Sequence, residues 1–309
     1  MNLKLALVLP ILIASLASCA GEDGGTSARA DWRVYPGVKT DGVFRVLAIG
    51  NSFTEDFMAH LPELLRLAGA DSVMVCKATV PGTSLEYHLG QVTRSDSAYA
   101  FQESVGGRPF ADAAVSPATL KTCVDYADWD VIVLQQLSYL SGDYSTIAPF
   151  LTPLVDNLRL GHPRAQIAWH ETWAYARSYD GAVFGRYGHS QATMDSMIVH
   201  ALRQLLRGEA KVGRVVPCGE ALRQARAAET DVMGLTAEGR HLDNRGRLLA
   251  AYTLFESLFA PTLGVGAGKL PHPAWADADD CRRFAATAER ACLWADGLVS
   301  EPLSSRVAP

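Results

Sequence analysis

Two short stretches hold the residue types that nucleophilic acyl chemistry needs. Gly50-Asn51-Ser52-Phe53-Thr54 follows an apolar run and precedes the acids Glu55 and Asp56 and a helical pattern. A serine at such a strand-to-helix turn sits where backbone N–H groups converge, and those donors can stabilise the oxyanion of a tetrahedral intermediate. The same position also suits a helix cap, with Ser52 or Thr54 accepting hydrogen bonds from the first turn. Far along the chain, Glu238-Gly239-Arg240-His241 sets an acid three residues before a histidine, followed by Asp243-Asn244 and another helical pattern. An acid so placed can orient an imidazole and stabilise its charged form while the other ring nitrogen faces a serine. Without a serine partner, such a histidine is a solvated loop residue.

Short apolar runs alternate with longer amphipathic segments, which predicts βαβ units and a parallel sheet. The runs at 44–49, 73–78, 130–134, 166–169 and 214–216 read as strands. Helices are expected at about 55–68, 145–160, 189–207, 220–229, 246–259 and 278–296. The stretch 84–127 has poor periodicity and several glycines, and reads as an excursion from the sheet that shapes a binding surface rather than as core. Ligands of open α/β sheets lie beyond the carboxyl ends of the strands, so the residues after each run matter most. After the second run, Val80-Pro81-Gly82-Thr83-Ser84 offers a Pro-Gly turn. After the third come Gln135-Gln136-Leu137-Ser138; on an extended strand the two glutamines point to opposite faces. After the fourth, His170-Glu171-Thr172-Trp173-Ala174-Tyr175 offers aromatic surface that can stack on sugar rings or pack under the sheet edge. His88 is a further residue that can approach such a cleft.

The order and separation of these blocks resemble the SGNH/GDSL hydrolases over most of the chain from Phe44 to Phe259. The family's Gly-Asp-Ser block is matched by Gly50-Asn51-Ser52, with Phe53-Thr54 as in an exported branch, and its Asp-x-x-His block by Glu238-x-x-His241. The resemblance implies a three-layer α/β/α flavodoxin-like fold with a central parallel sheet of about five strands. It implies Ser52 as nucleophile, His241 as general base and Glu238 as orienting acid, with Asp243 as fallback because glutamate reaches one methylene further than aspartate. It implies an oxyanion hole from the N–H groups of Ser52 and Gly82 and an amide of Gln135 or Gln136, which stand where the family's asparagine would be. Asn51, Trp173 and Tyr175 are the candidate substrate-binding residues. No metal or organic cofactor is required.

The chain of 309 residues opens with Lys4, an apolar stretch and small residues up to Cys19. Residues 1–18 read as a signal peptide, and Leu16-Ala17-Ser18-Cys19 resembles a bacterial lipobox, which makes Cys19 a lipidation site. Residues 19–35, rich in Gly, Ser, Asp and Glu, read as a tether, and 36–309 as a single domain. The expected location is therefore outside the cytoplasm, on a bacterial membrane facing the periplasm or cell surface. A net charge of −5 without a basic stripe excludes nucleic acid as a natural partner. The five cysteines after Cys19 show no metal-ligand spacing and read mostly as small packing residues.

The expected activity is hydrolysis of small acyl esters, acetyl above all, on carbohydrate. A non-catalytic glycan-binding lipoprotein on the same fold is the main rival. A phosphate-binding flavodoxin-like protein is another, since a turn at a helix start can hold an anion. Acyl transfer would use the same residues as hydrolysis.

Overall fold

The protein is described from a computed structural model that covers residues 41–208, 212–227 and 234–300. The expected signal segment 1–18, Cys19 and the tether 19–35 lie outside the described residues. Among the described residues seven strands, β1 (Phe44–Gly50), β2 (Val73–Thr79), β3 (Ala100–Val105), β4 (Ala111–Asp112), β5 (Val131–Leu134), β6 (Gln166–His170) and β7 (Arg214–Val216), form one sheet ordered β4-β3-β2-β1-β5-β6-β7. The five expected strands run parallel, β1 pairing with β2 on one side and β5 on the other. Their order reverses direction between β1 and β5, which makes the carboxyl ends of those two strands the natural crevice.

Among the described residues ten α-helices cover the sheet: α1 (Ser52–Met58), α2 (Leu61–Leu67), α3 (Leu85–Gln91), α4 (Leu120–Asp125), α5 (Ala148–Gly161), α6 (Gln191–Arg207), α7 (Cys218–Arg226), α8 (Asn244–Leu254), α9 (Ala260–Leu263) and α10 (Ala278–Ser300). Strand alternation divides the core in two. Phe44, Val46 and Ala48 of β1 point into a cluster with α1, α2, α7, α8 and much of α10, while Leu47 and Ile49 point into another with α3, α4 and α5. The result is a three-layer α/β/α fold. Among the described residues no helix is long and apolar enough to cross a membrane.

Two expectations are corrected. The stretch 84–127 is not an excursion from the sheet: it supplies α3, α4 and the antiparallel strands β3 and β4, and Tyr99, Phe101, Leu120 and Cys123 are buried in the core. Its strand β3 carries Gln102, Glu103 and Ser104, so no apolar run announces it; pairing with β2 satisfies its backbone. The helix expected at 55–68 is two helices, broken at Ala59 and His60 ahead of Pro62, whose ring and missing N–H are tolerated in a first turn but not in a helix interior.

Candidate active site

Gly50 ends β1 and Ser52 begins α1, so the serine stands at the carboxyl edge of the sheet, half-buried. The turn is tight because position 50 lacks a side chain: a Cβ there would lie 2.3 Å from Thr54 Oγ1 and 3.1 Å from Gln135. Asn51 caps the helix, its Oδ1 accepting from Phe53 N–H at 3.0 Å. That oxygen also accepts from Gln135 Nε2 at 2.7 Å, while Asn51 Nδ2 donates to the Thr83 carbonyl at 2.9 Å. One side chain therefore joins the serine turn, the end of β5 and the Val80–Ser84 turn.

His241 arrives from the other end of the chain. Its Nε2 lies 3.0 Å from Ser52 Oγ, and its Nδ1 lies 2.7 Å from Glu238 Oε1. With Nδ1–H donating to the carboxylate, Nε2 is left to accept from the serine hydroxyl, the geometry of an activated nucleophile. Glu238 Oε1 also accepts from the His241 backbone N–H at 3.0 Å. Gly239 between them adopts φ +86°, a left-handed conformation that curls the chain so that one carboxylate reaches both donors. Burial pushes the Glu238 carboxyl up, but the His241 N–H, the imidazole and Arg240 outweigh it and hold it below the ordinary carboxylate value. Asp243, the other acid considered for this role, is occupied elsewhere: it caps α8, accepting from Gly246 N–H at 2.7 Å.

Two side chains support this loop. Asp56, one turn along α1 from Ser52 and buried, accepts from Leu242 N–H at 3.1 Å and pairs with Arg247 at 2.8 Å. It thereby ties the helix that bears Ser52 to the residue after His241. Trp173 stacks on Phe53 with ring centroids 4.1 Å apart, and its indole N–H donates to the Arg240 carbonyl at 2.8 Å.

The candidate substrate-binding residues lie elsewhere than expected. Trp173 and Tyr175 are 0% exposed and form the floor beneath the site, not a cleft wall; Tyr175 shares a 2.7 Å hydrogen bond with Ser138. Asn51, 1% exposed, is structural. Gln135 and Gln136 are both buried with their amides committed to protein: Gln135 to Asn51, Thr54 and His170, Gln136 to Thr146 and the N–H groups of Leu85 and Leu137. The strand alternation that sends them to opposite faces leaves neither turned to the open side of Ser52. Gly82 occupies an exposed turn with φ +71° beside the Thr83 carbonyl that Asn51 holds. Among the described residues no acceptor takes the N–H of Gly82 or of Ser52. His88 is buried against Tyr99, and its Nδ1 shares a 2.8 Å hydrogen bond with the Tyr99 hydroxyl. The cysteines at 76, 123, 218, 281 and 292 are free thiols.

Residues 45–269 match the profile of a domain of unknown function, DUF4886. The crystal structure of a DUF4886 family protein from Bacteroides uniformis superposes with a TM-score of 0.72 at 27% identity, over 82% of this chain and 96% of that one. A provisional SGNH hydrolase from Slackia heliotrinireducens gives 0.48 at 24% identity, over 70% and 99%. A provisional GDSL-like lipase from Parabacteroides merdae gives 0.44 at 12% identity, over 71% and 96%. No curated protein matches the chain.

Proposed function

The chain belongs to the DUF4886 family, and from its site we propose that it is a serine ester hydrolase of the SGNH type acting on small acyl groups, acetyl first, carried on carbohydrate. The observation that carries this reading is the continuous line Ser52 Oγ, His241 Nε2, His241 Nδ1, Glu238 Oε1, with separations of 3.0 and 2.7 Å between partners. A side chain used only as a helix cap does not require it, since Asn51 already caps α1. Neither a phosphate site nor a bare glycan site needs it.

In this reading Ser52 attacks the ester carbonyl as His241 takes its proton, and Glu238 stabilises the imidazolium. The tetrahedral oxyanion is held by the N–H groups of Ser52 and Gly82, each such donor contributing roughly 3 kcal/mol in hydrolases where it has been removed. Collapse expels the alcohol, protonated by His241, and leaves an acyl-enzyme; water, deprotonated by the same imidazole, then releases the acid. The two buried glutamines drop out of the oxyanion hole and hold the turn on which it is built. Lipidation at Cys19 would keep this chemistry on a membrane surface outside the cytoplasm, and labelling with a radioactive fatty acid, lost in Cys19→Ser, tests the anchor.

The test of the activity is acetate release from a short acetyl ester by the purified protein and by Ser52→Ala and His241→Ala, with thermal melting to verify folding. Each variant should lose on the order of 10⁴-fold in kcat or more. Labelling by a fluorophosphonate in the parent, absent from Ser52→Ala, should accompany it. An unreactive serine in the folded parent would sink the hydrolase reading and favour the glycan-binding one.

A further inference from the structure

One turn of α1 beyond Ser52 the surface opens into a cavity of about 690 Å³, lined among others by Glu55, Lys77, Arg108, Phe110 and Arg247. Residues three and four apart on a helix share a face, so Glu55 lies next to the nucleophile. Arg247 is the partner of Asp56, which holds Leu242 beside the base, and His60, another lining residue, meets Asn244 at the start of α8 at 3.2 Å. The cavity is therefore built from the supports of both halves of the candidate triad. Its far wall is the β3–β4 hairpin, brought in by Gly107, where a Cβ would lie 2.4 Å from the Arg66 backbone nitrogen.

In a protein of net charge −5, this lining reverses sign locally, with four cations, Arg66, Lys77, Arg108 and Arg247, against two carboxylates, Glu55 and Glu63. Both carboxylates are engaged. Glu55 accepts from Lys77 Nζ and from Thr79 Oγ1, and Glu63 accepts from Trp275 Nε1 at 2.7 Å. Arg108 is exposed and spends only its Nε, on the Val105 carbonyl at 3.2 Å; among the described residues no carboxylate is paired with it. Its two terminal nitrogens form a planar fork that matches a carboxylate. Behind His60 and Glu63 of this lining, Trp275 is 45% exposed, and its ring packs 4.5 Å from that of His60. Of the four large apolar side chains exposed among the described residues, it alone is aromatic.

A guanidinium without a carboxylate on one wall of the cavity and an exposed indole packed on His60 of another suit one ligand class above others, a glycan whose sugars offer apolar C–H faces and a carboxylate. We infer that this cavity is a subsite for a uronic acid residue, so that the ester substrate is an acidic glycan with the acyl group on or next to the sugar held there. The inference rests on the esterase reading for the acyl transfer, but the subsite itself binds without it.

The test separates the two. Unesterified tetragalacturonate and, as a neutral counterpart, cellotetraose are titrated calorimetrically into the full-length protein, into Ser52→Ala, and into Arg108→Gln, Arg108→Lys and Trp275→Ala. Tetragalacturonate should bind the parent and Ser52→Ala alike and cellotetraose at least roughly tenfold more weakly. Arg108→Gln and Trp275→Ala should each lose roughly tenfold, as expected for one charge-assisted bond or one stacked ring, and Arg108→Lys should lose less than Arg108→Gln. Absence of tetragalacturonate binding overturns the inference, as does equal binding of the neutral sugar, or full affinity in folded Arg108→Gln. Chemically acetylated versions of both oligosaccharides are then assayed with the parent. Binding without acetate release from either would remove the esterase reading and keep the subsite, whereas faster turnover of the neutral ester would overturn the subsite.

Discussion

An asparagine at position 51, where the SGNH block carries aspartate, has a physical reason in the turn it meets. The Thr83 carbonyl needs a donor, and Asn51 Nδ2 supplies it while Oδ1 serves Phe53 N–H and Gln135. Aspartate would keep the cap but offer only acceptors, turning a buried carboxylate oxygen toward a carbonyl. Asn51→Asp should therefore destabilise the fold by about 1–3 kcal/mol, the range for an unsatisfied buried polar group. It should also lower kcat, because the turn bearing Gly82 loses its tether. Denaturant titration and acetate release measure the two, and a variant equal to the parent in both would show that the Thr83 contact is without consequence. Part of this site was legible in the sequence: residue type and spacing single out Ser52, His241 and Glu238, and the structure brings those three together. Asp56 was hidden because its partners, Leu242 and Arg247, lie far along the chain. Trp173, Tyr175 and the two glutamines were misplaced because a residue after a strand end can turn toward solvent or under the sheet, and local sequence does not encode which.

The end of β6 sets two neighbouring groups against each other in their response to pH. Burial lowers His170 to about 3 from an ordinary 6.5, and its Nε2 has no partner; burial raises Glu171 to about 8 from 4.5. For the histidine, unfolding takes up a proton between 3 and 6.5, so its contribution is present above 6.5 and is lost as pH falls. For the glutamate, unfolding releases a proton between 4.5 and 8, so stability declines as pH rises through that interval. The slopes oppose each other from 4.5 to 6.5, which predicts a plateau there, an acid decline below it from His170 and an alkaline decline above it from Glu171. Glu171→Gln, which can still accept from Glu220 N–H, should abolish the decline between 6.5 and 8 in denaturant titrations; an unchanged slope would assign that decline elsewhere. The strands of this sheet were legible where they are apolar on both faces, as Val131–Leu134 is, all four residues buried. They were not legible where a strand only flanks the parallel set: of the six residues of β3 just Phe101 and Ser104 are buried and three are polar, and its pairing with β2 is a tertiary fact.

Over the whole molecule, Ser52 and His241, the proposed nucleophile and base, are 189 residues apart in sequence. Between them lie six of the seven described strands and helices α2 to α7, so the 3.0 Å contact forms only when the sheet order is complete. Contacts of such long range close late because the loop entropy must be met before they contribute. During refolding from denaturant, fluorophosphonate pulse-labelling of Ser52 should therefore lag behind the recovery of helical circular dichroism and coincide with the return of native tryptophan fluorescence. Labelling that keeps pace with helix formation would mean the serine is activated without His241. The same separation bears on synthesis: a ribosome that has delivered the serine turn must still deliver the loop ahead of α8 before that serine can meet His241, so on the esterase reading a partly made chain carries Ser52 in an inert form, and the finished fold is what arms it.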